Sequence, residues 1–179
     1  MQQILVILLI FPNLSEKEPK EARKKGGKLD IQFRDIKKQD IEKMVQMSAE
    51  VGYKIRYEKF SERISELIKN SNIGVIAAAN EENKIVGWVQ LEISNFIFSD
   101  KACNILGVFI DKNYRGNQIG RKLIEKAQEW AREKGCISFK ISSDITRIDS
   151  HAFYKHMGFK HIKTEQIFGR RVEKEDQQD

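Results

Sequence analysis

An apolar strand, a short glycine-bearing turn and a long amphipathic helix succeed one another between Ala102 and Lys134, and this succession limits the fold more than anything else in the chain. From about Asn117 to Lys134, Ile119, Leu123, Ile124, Ala127, Trp130 and Ala131 lie on one helical stripe, with Arg, Lys and Glu elsewhere. A helix of that kind must bury its stripe against a sheet or another helix. Gly135 is a natural stop for it, and Cys136 to Ile141 reads as the next strand. The stretch is therefore a strand–helix–strand unit with a turn placed at the helix N-terminus.

The flanking sequence supplies the rest of a layered domain. Leu29 to Arg34 alternates as a short strand, and Asp40 is positioned to cap a helix carrying Ile41, Met44, Val45 and Met47 or Ser48. Lys59 to Lys69 reads as a second helix through Phe60, Ile64, Leu67 and Ile68. Ile73 to Ala79 and Ile85 to Ile93 form a hairpin about the polar turn Asn80–Asn83. Strict alternation puts Ile85, Val89, Leu91 and Ile93 on one face, and Val86, Trp88, Gln90 and Glu92 on the other. After the helix and strand already described, a short helix from Asp149 or Ser150 ends at Gly158, and Phe159 to Phe168 reads as a last strand. The order is strand, two helices, three strands, helix, strand, helix, strand. That predicts an α/β fold with helices packed on the sheet faces.

Length and composition bound the class. At 179 residues, 40% apolar and 32% charged, the chain suits one soluble domain and excludes collagen-like, disordered and multi-span membrane classes. Cys103 and Cys136 allow at most one disulfide and read as reduced, buried residues of a cytoplasmic protein. Residues 1–28 carry a charge of +3, residues 173–179 one of −3, and the body between them +6. The apolar run Ile4–Phe11 is too short to span a membrane and lacks the basic lead and small-residue cleavage site of a signal peptide. Residues 1–28 thus read as an extension, 29–172 as the domain and 173–179 as an acidic tail. Lys24-Lys25-Gly26-Gly27-Lys28 is codable by a purine-rich ribosome-binding stretch, which makes Leu29 a candidate natural start.

Chemistry concentrates at Val108-Phe109-Ile110-Asp111-Lys112-Asn113-Tyr114-Arg115-Gly116-Asn117-Gln118-Ile119-Gly120. A turn feeding a helix N-terminus offers unpaired backbone N–H groups and a partial positive charge, which suit a phosphate. Arg115, Arg121 and Lys122 add cations. Walker A spacing and the three-glycine dinucleotide fingerprint are both absent.

Arg115-Gly116-Asn117-Gln118-Ile119-Gly120 closely resembles the acyl-CoA pyrophosphate loop of the GNAT family of N-acetyltransferases. Ser150-His151-Ala152-Phe153-Tyr154-Lys155-His156-Met157-Gly158-Phe159 resembles that family's second motif, an aromatic-Tyr helix ending in Gly-Phe. The two motifs stand in family order, and the element order from about 29 to 172 matches. The resemblance implies a mixed, mainly antiparallel central sheet with helices on both faces. It implies that Val108, Phe109 and Ile110 pair with the pantetheine arm of acetyl-CoA, that residues Arg115 to Gly120, with Arg121 beside them, hold the pyrophosphate, and that Tyr154 protonates the leaving thiolate. The chain departs from the family at Gln118, where Gly is usual, at Arg147, where Asn is common seven residues before the tyrosine, and at Ser150, where Ala is common.

For the general base, Glu92 is the leading candidate, as a partly buried carboxylate on the less apolar strand face; Asp100, Asp144 and a water chain are the alternatives. No metal site is expected: His151 and His156 lie about 140° apart around a helix. Neither cysteine has a nucleophile's setting, so direct transfer is expected over an acyl-enzyme. The expected acceptor is the amine of a small molecule, with a protein N-terminus or lysine as alternative, and a catalytically silent acyl-CoA-binding module as the rival class. Neither nucleic acid nor membrane is expected as a partner, and the expected state is monomer or homodimer.

Overall fold

The computed structural model describes residues 29–50 and 52–170. The N-terminal extension with its apolar run and the acidic tail lie outside the described residues. Five strands form one sheet in chain order: β1 (Gln32–Asp35), β2 (Ile73–Ala79), β3 (Ile85–Ser94), β4 (Ala102–Ile110) and β5 (Ser138–Ile141). The first four run antiparallel, and β5 lies parallel to β4. A parallel neighbour needs a crossover. Helix α3 (Ile119–Glu133) supplies it, preceded in the chain by α1 (Ile41–Glu50) and α2 (Tyr57–Leu67) and followed by α4 (Ile148–His156).

Two cores divide the helices between the sheet faces. On one face Ile119, Leu123, Ile124, Ala127 and Ala131 of α3, with Tyr154 of α4, bury against Val86, Val89, Leu91, Val108 and Ile110. On the other, Ile41, Met44 and Met47 of α1 and Phe60 and Ile64 of α2 cover Ala77, Ile85 and Trp88. The fold is thus mixed α/β with a mainly antiparallel sheet and helices on both faces. α3 ends where Gly135 takes a φ of +72°, with the Cys136 N–H donating to Ala131 O at 2.9 Å.

Three expectations from the sequence are corrected. Strict alternation along β3 fails at its start. Ala78 pairs with Gly87 but Ala79 with Ile85, so Val86 is an extra, bulged residue. Val86 therefore turns in with Val89 and Leu91, while Ile85 joins Trp88 under α1 and α2. Asp40 does not cap α1. It closes a 3-10 turn, and its carboxylate accepts from Lys37 N–H at 2.7 Å and from Arg34 at 2.7 and 3.0 Å. The segment from Phe159 to Phe168 joins no strand ladder; Ile162, Ile167 and Phe168 are exposed. Its apolar residues belong to a stretch with three cationic or His side chains in its first half, too polar on average to demand burial.

Candidate active site

β4 changes neighbours halfway along. Gln90 pairs with Gly107 and Leu91 with Ile105, leaving Leu106 as a bulge. β5 follows β4 only from Ala102 to Ile105. Beyond the bulge, among the described residues, the edge of β4 that faces away from β3 has no strand beside it. A bulge bends its strand and sharpens the twist, which carries the end of β4 away from β5. Val108, Phe109 and Ile110 thus present an open backbone edge, the geometry that accepts an extended ligand by strand-like pairing. Val108 and Ile110 are buried toward α3, whereas the half-buried Phe109 ring stacks on Trp88 at 4.1 Å between centroids and 11° between planes. Gly107 is needed for that ring: a β-carbon there would stand 2.8 Å from Phe109 Cε2.

The turn between β4 and α3 is held by its own side chains. Asp111, buried, accepts from Asn113 N–H at 2.9 Å and is bridged by Lys43 of α1 at 2.5 Å. Arg115 Nε donates to Ile110 O at 3.3 Å, and Asn117 Nδ2 donates to the carbonyls of Tyr114 and Arg115 at 3.1 and 3.2 Å. Gly116 takes φ +79°, and Gln118, the residue preceding α3, takes φ 60°, ψ 11°. No side chain caps α3 and no acidic residue lies in its first turn, so its leading N–H groups face the loop with their partial positive charge intact. Gly120 keeps the approach narrow but clear: a β-carbon there would lie 3.8 Å from Ile110 Cγ1 and 3.9 Å from Phe153 Cζ. Arg121 Nε is engaged with Glu125 at 2.9 Å.

Through Phe153, α4 meets the end of β4 and the start of α3. Tyr154 is 8% exposed and packs edge-on against Phe153 and Phe159. Burial pushes its phenol well above the usual tyrosine range, while Arg147 pulls it back down in part. The phenol therefore stays protonated, as a proton donor must. Arg147, Ser150 and Tyr154 stand at helical intervals of three and four, on one face of α4. Arg147 Nη1 and Ser150 Oγ are buried with no hydrogen-bond partner among the described residues, although Ser150 is only 2% exposed. The sequence reading took both positions as departures from a pattern rather than as site residues; their shared helical face with Tyr154 was the signal available.

Other candidates separate. Glu92 is exposed rather than partly buried, in register with Ile73 of β2 and Asn104 of β4. It continues the Trp88 side of β3, under α1 and α2, whereas Tyr154 belongs to the α3 side. The two groups are divided by the sheet, and the gap beyond Ile105 is where the sheet is open. Cys103 is fully buried, and that burial, with a smaller contribution from Cys136, pushes its thiol up to about 12. A thiol so placed is no nucleophile at neutral pH. Asp144 is held below the usual carboxylate range by Thr146, whose hydroxyl and N–H both donate to it.

Known proteins resemble this chain in sequence and fold. The family model described as the acetyltransferase (GNAT) family matches residues 40–159. YxbD of Bacillus subtilis is 32% identical over 81 residues, 45% of this chain and 46% of that protein. Glucosamine 6-phosphate N-acetyltransferase of Arabidopsis thaliana is 26% identical over 132 residues, 72% of this chain and 85% of that enzyme. The chain thus spans about half the length of the first relative and most of the second. Among solved structures, a transcriptional regulator from Bacillus halodurans C-125 is 30% identical, with a TM-score of 0.69 over 78% of this chain and 100% of that one. With the match of the family model over most of the domain, and with the bulged, half-open β4 leading into an uncapped α3, the chain belongs to the GNAT family of acetyltransferases and is an acyltransferase.

Proposed function

We propose that the chain transfers an acetyl group from acetyl-CoA to the primary amine of a small molecule by direct attack. The observation that carries this is the unpartnered edge of β4 from Leu106 to Ile110, running straight into the Arg115–Gly120 turn. Val108, Phe109 and Ile110 pair with the amides of the pantetheine arm. Residues Arg115 to Gly120 hold the pyrophosphate through the N–H groups at the start of α3, with Arg121 adding charge. Backbone N–H donors on the open edge stabilise the oxyanion as the amine attacks. Tyr154 protonates sulfur as the carbon–sulfur bond breaks. The amine comes from the α1–α2 side, where Glu92, open to solvent, passes the ammonium proton to water. A small amine as acceptor is supported by the glucosamine 6-phosphate that the Arabidopsis relative is named for.

Two measurements test this. Hydrogen exchange at saturating acetyl-CoA is expected to show protection of the Gly116 to Gly120 amides; unchanged exchange there removes the cofactor assignment. A panel of small amines and peptide N-termini with acetyl-CoA, followed by free thiol release, is expected to find turnover among the small amines. Protection without turnover on any amine would make the chain a binding module, and turnover confined to peptides would move the acceptor class.

A further inference from the structure

The α4 face bearing Tyr154 holds a charge that the reaction described so far leaves unused. Arg147 sits at the head of α4 with Nη1 buried and unpartnered. Arg147 as a residue is half-buried, but an enclosed N–H left without an acceptor is costly, and it is kept most readily where an acceptor arrives during the reaction. Among its charged neighbours, Asp144 feels the Arg147 charge through space, but Arg147 Nη1 makes no hydrogen bond to it. Asp144 is bound through its carboxylate by Thr146, and His151 Nε2 lies 2.9 Å from the Asp144 carbonyl. Seven residues on, Tyr154 returns to the same side of the helix about 10 Å along its axis, within reach of an arginine side chain directed down the face. Ser150, between them, turns a second unpartnered polar atom to that face.

An anion does form there in the proposed chemistry. The amine's electron pair forms a carbon–nitrogen bond at the thioester carbonyl, whose oxygen takes up the displaced pair. When the carbonyl re-forms, the carbon–sulfur bond breaks and sulfur leaves with its electrons. Sulfur then takes the Tyr154 proton, giving the CoA thiol and a tyrosinate. The ammonium proton goes to solvent, and solvent later returns one to Tyr154. For that interval a phenolate stands among Phe153 and Phe159, rings that offer it no charge compensation.

We propose that Arg147 is the counter-ion of Tyr154, a positioning and electrostatic residue that stabilises the tyrosinate formed as the thiolate is protonated. The inference rests on the acid role given to Tyr154 above. Arg147 is then the reason a buried phenol can act as an acid at all, and the departure from the more common Asn at this position has a function.

The test is a double-mutant cycle in kcat on the full chain, using acetyl-CoA and an amine the wild type accepts, with acetyl-CoA affinity measured alongside. Arg147→Met is expected to lower kcat by roughly tenfold or more while acetyl-CoA affinity stays within about twofold. Arg147→Lys keeps the charge and is expected to recover part of the loss. In a Tyr154→Phe background, Arg147→Met is expected to change kcat less than about twofold, because no tyrosinate remains to stabilise. Equal losses in both backgrounds, or weakened acetyl-CoA binding with kcat intact, would overturn the counter-ion role while leaving the acid role standing. An unchanged kcat in Tyr154→Phe alone would instead overturn the acid role and the counter-ion role with it. Thermal melts of each variant separate a folding defect from these outcomes, and the lysine variant carries the test if the methionine variant does not fold.

Discussion

The Phe153 ring edge stands 3.9 Å from the place where a β-carbon on Gly120 would sit, so α4 closes over the first turn of α3 at ordinary contact distance. Packing by itself therefore leaves room for a β-carbon at Gly120. Gly120→Ala is expected to fold with near-native stability and to bind acetyl-CoA within several-fold of wild type. Gly120→Glu adds an anion at the helix N-terminus where a pyrophosphate is proposed, and is expected to abolish measurable binding while the fold persists. Titration calorimetry beside circular dichroism decides it. A folded Gly120→Glu with native affinity would contradict the placement of the phosphates.

Gln118 holds a left-handed conformation, φ 60° and ψ 11°, that costs a residue with a β-carbon about 1–2 kcal/mol. This is the position where the family usually has Gly, and the structure supplies the reason. Gly gives back about 0.5–1 kcal/mol through its freer unfolded chain. Gln118→Gly is expected to raise unfolding stability by up to about 1 kcal/mol, since the exposed side chain makes no capping bond to lose. Chemical denaturation reads this directly; a less stable variant would show that the Gln118 side chain holds the loop in a way the cap geometry does not reveal.

Tyr154→Phe keeps the ring that packs against Phe153 and Phe159 and removes only the phenolic hydroxyl. If the proton is given as the thiolate leaves, kcat is expected to fall by roughly 10²–10⁴ at the upper range of general-acid effects, and by less if water substitutes. Acetyl-CoA affinity is expected to stay near native, because the interaction belongs to the transition state. Single-turnover rates make the comparison where chemistry limits. An unchanged rate would leave Tyr154 as a core aromatic.

What the sequence made legible was whatever repeats with a period or sits in a local turn. The α3 stripe, the β2–β3 hairpin and the Arg115–Gly120 turn needed only neighbours in the chain, and they stand where expected. Bulges are different, because one extra residue in a ladder is set by the partner strand. The displacement of Val86 and the opening of β4 at Leu106 carry no periodic signal, although the second defines the proposed cofactor edge. Long-range electrostatics was equally silent. Asp40 looks like a helix cap from its neighbours, and only the folded chain brings to it Arg34, itself held by Asn83. The orphaned atoms of Arg147 and Ser150 emerge only when burial is known.

The Arg34–Asp40 pair also sets an acid limit on the fold. Burial alone would push the Asp40 carboxyl up, but the Arg34 guanidinium and the Lys37 N–H overcome it and hold the group below the usual carboxylate range. Its folded value is therefore depressed relative to the unfolded chain, where about 3.9 is typical. The sign follows from which state binds the proton more tightly. Above about pH 5 both states are ionised and the full stabilisation is present; as pH falls toward the depressed folded value, the unfolded chain takes up the proton first and the stabilisation is lost. Asp40→Asn removes that dependence and leaves Arg34, which also donates to Asn83, with its charge poorly matched. Breaking a pair with one fully buried partner costs about 3–5 kcal/mol, and the 15% exposure of Arg34 places this one toward the lower end. Denaturation at pH 7 and between pH 5 and pH 2.5 is expected to show a large deficit for Asp40→Asn at neutral pH that narrows against wild type as the medium becomes acidic. A deficit that stays constant across that range would mean that Asp40 contributes by packing and hydrogen-bond geometry, without its charge.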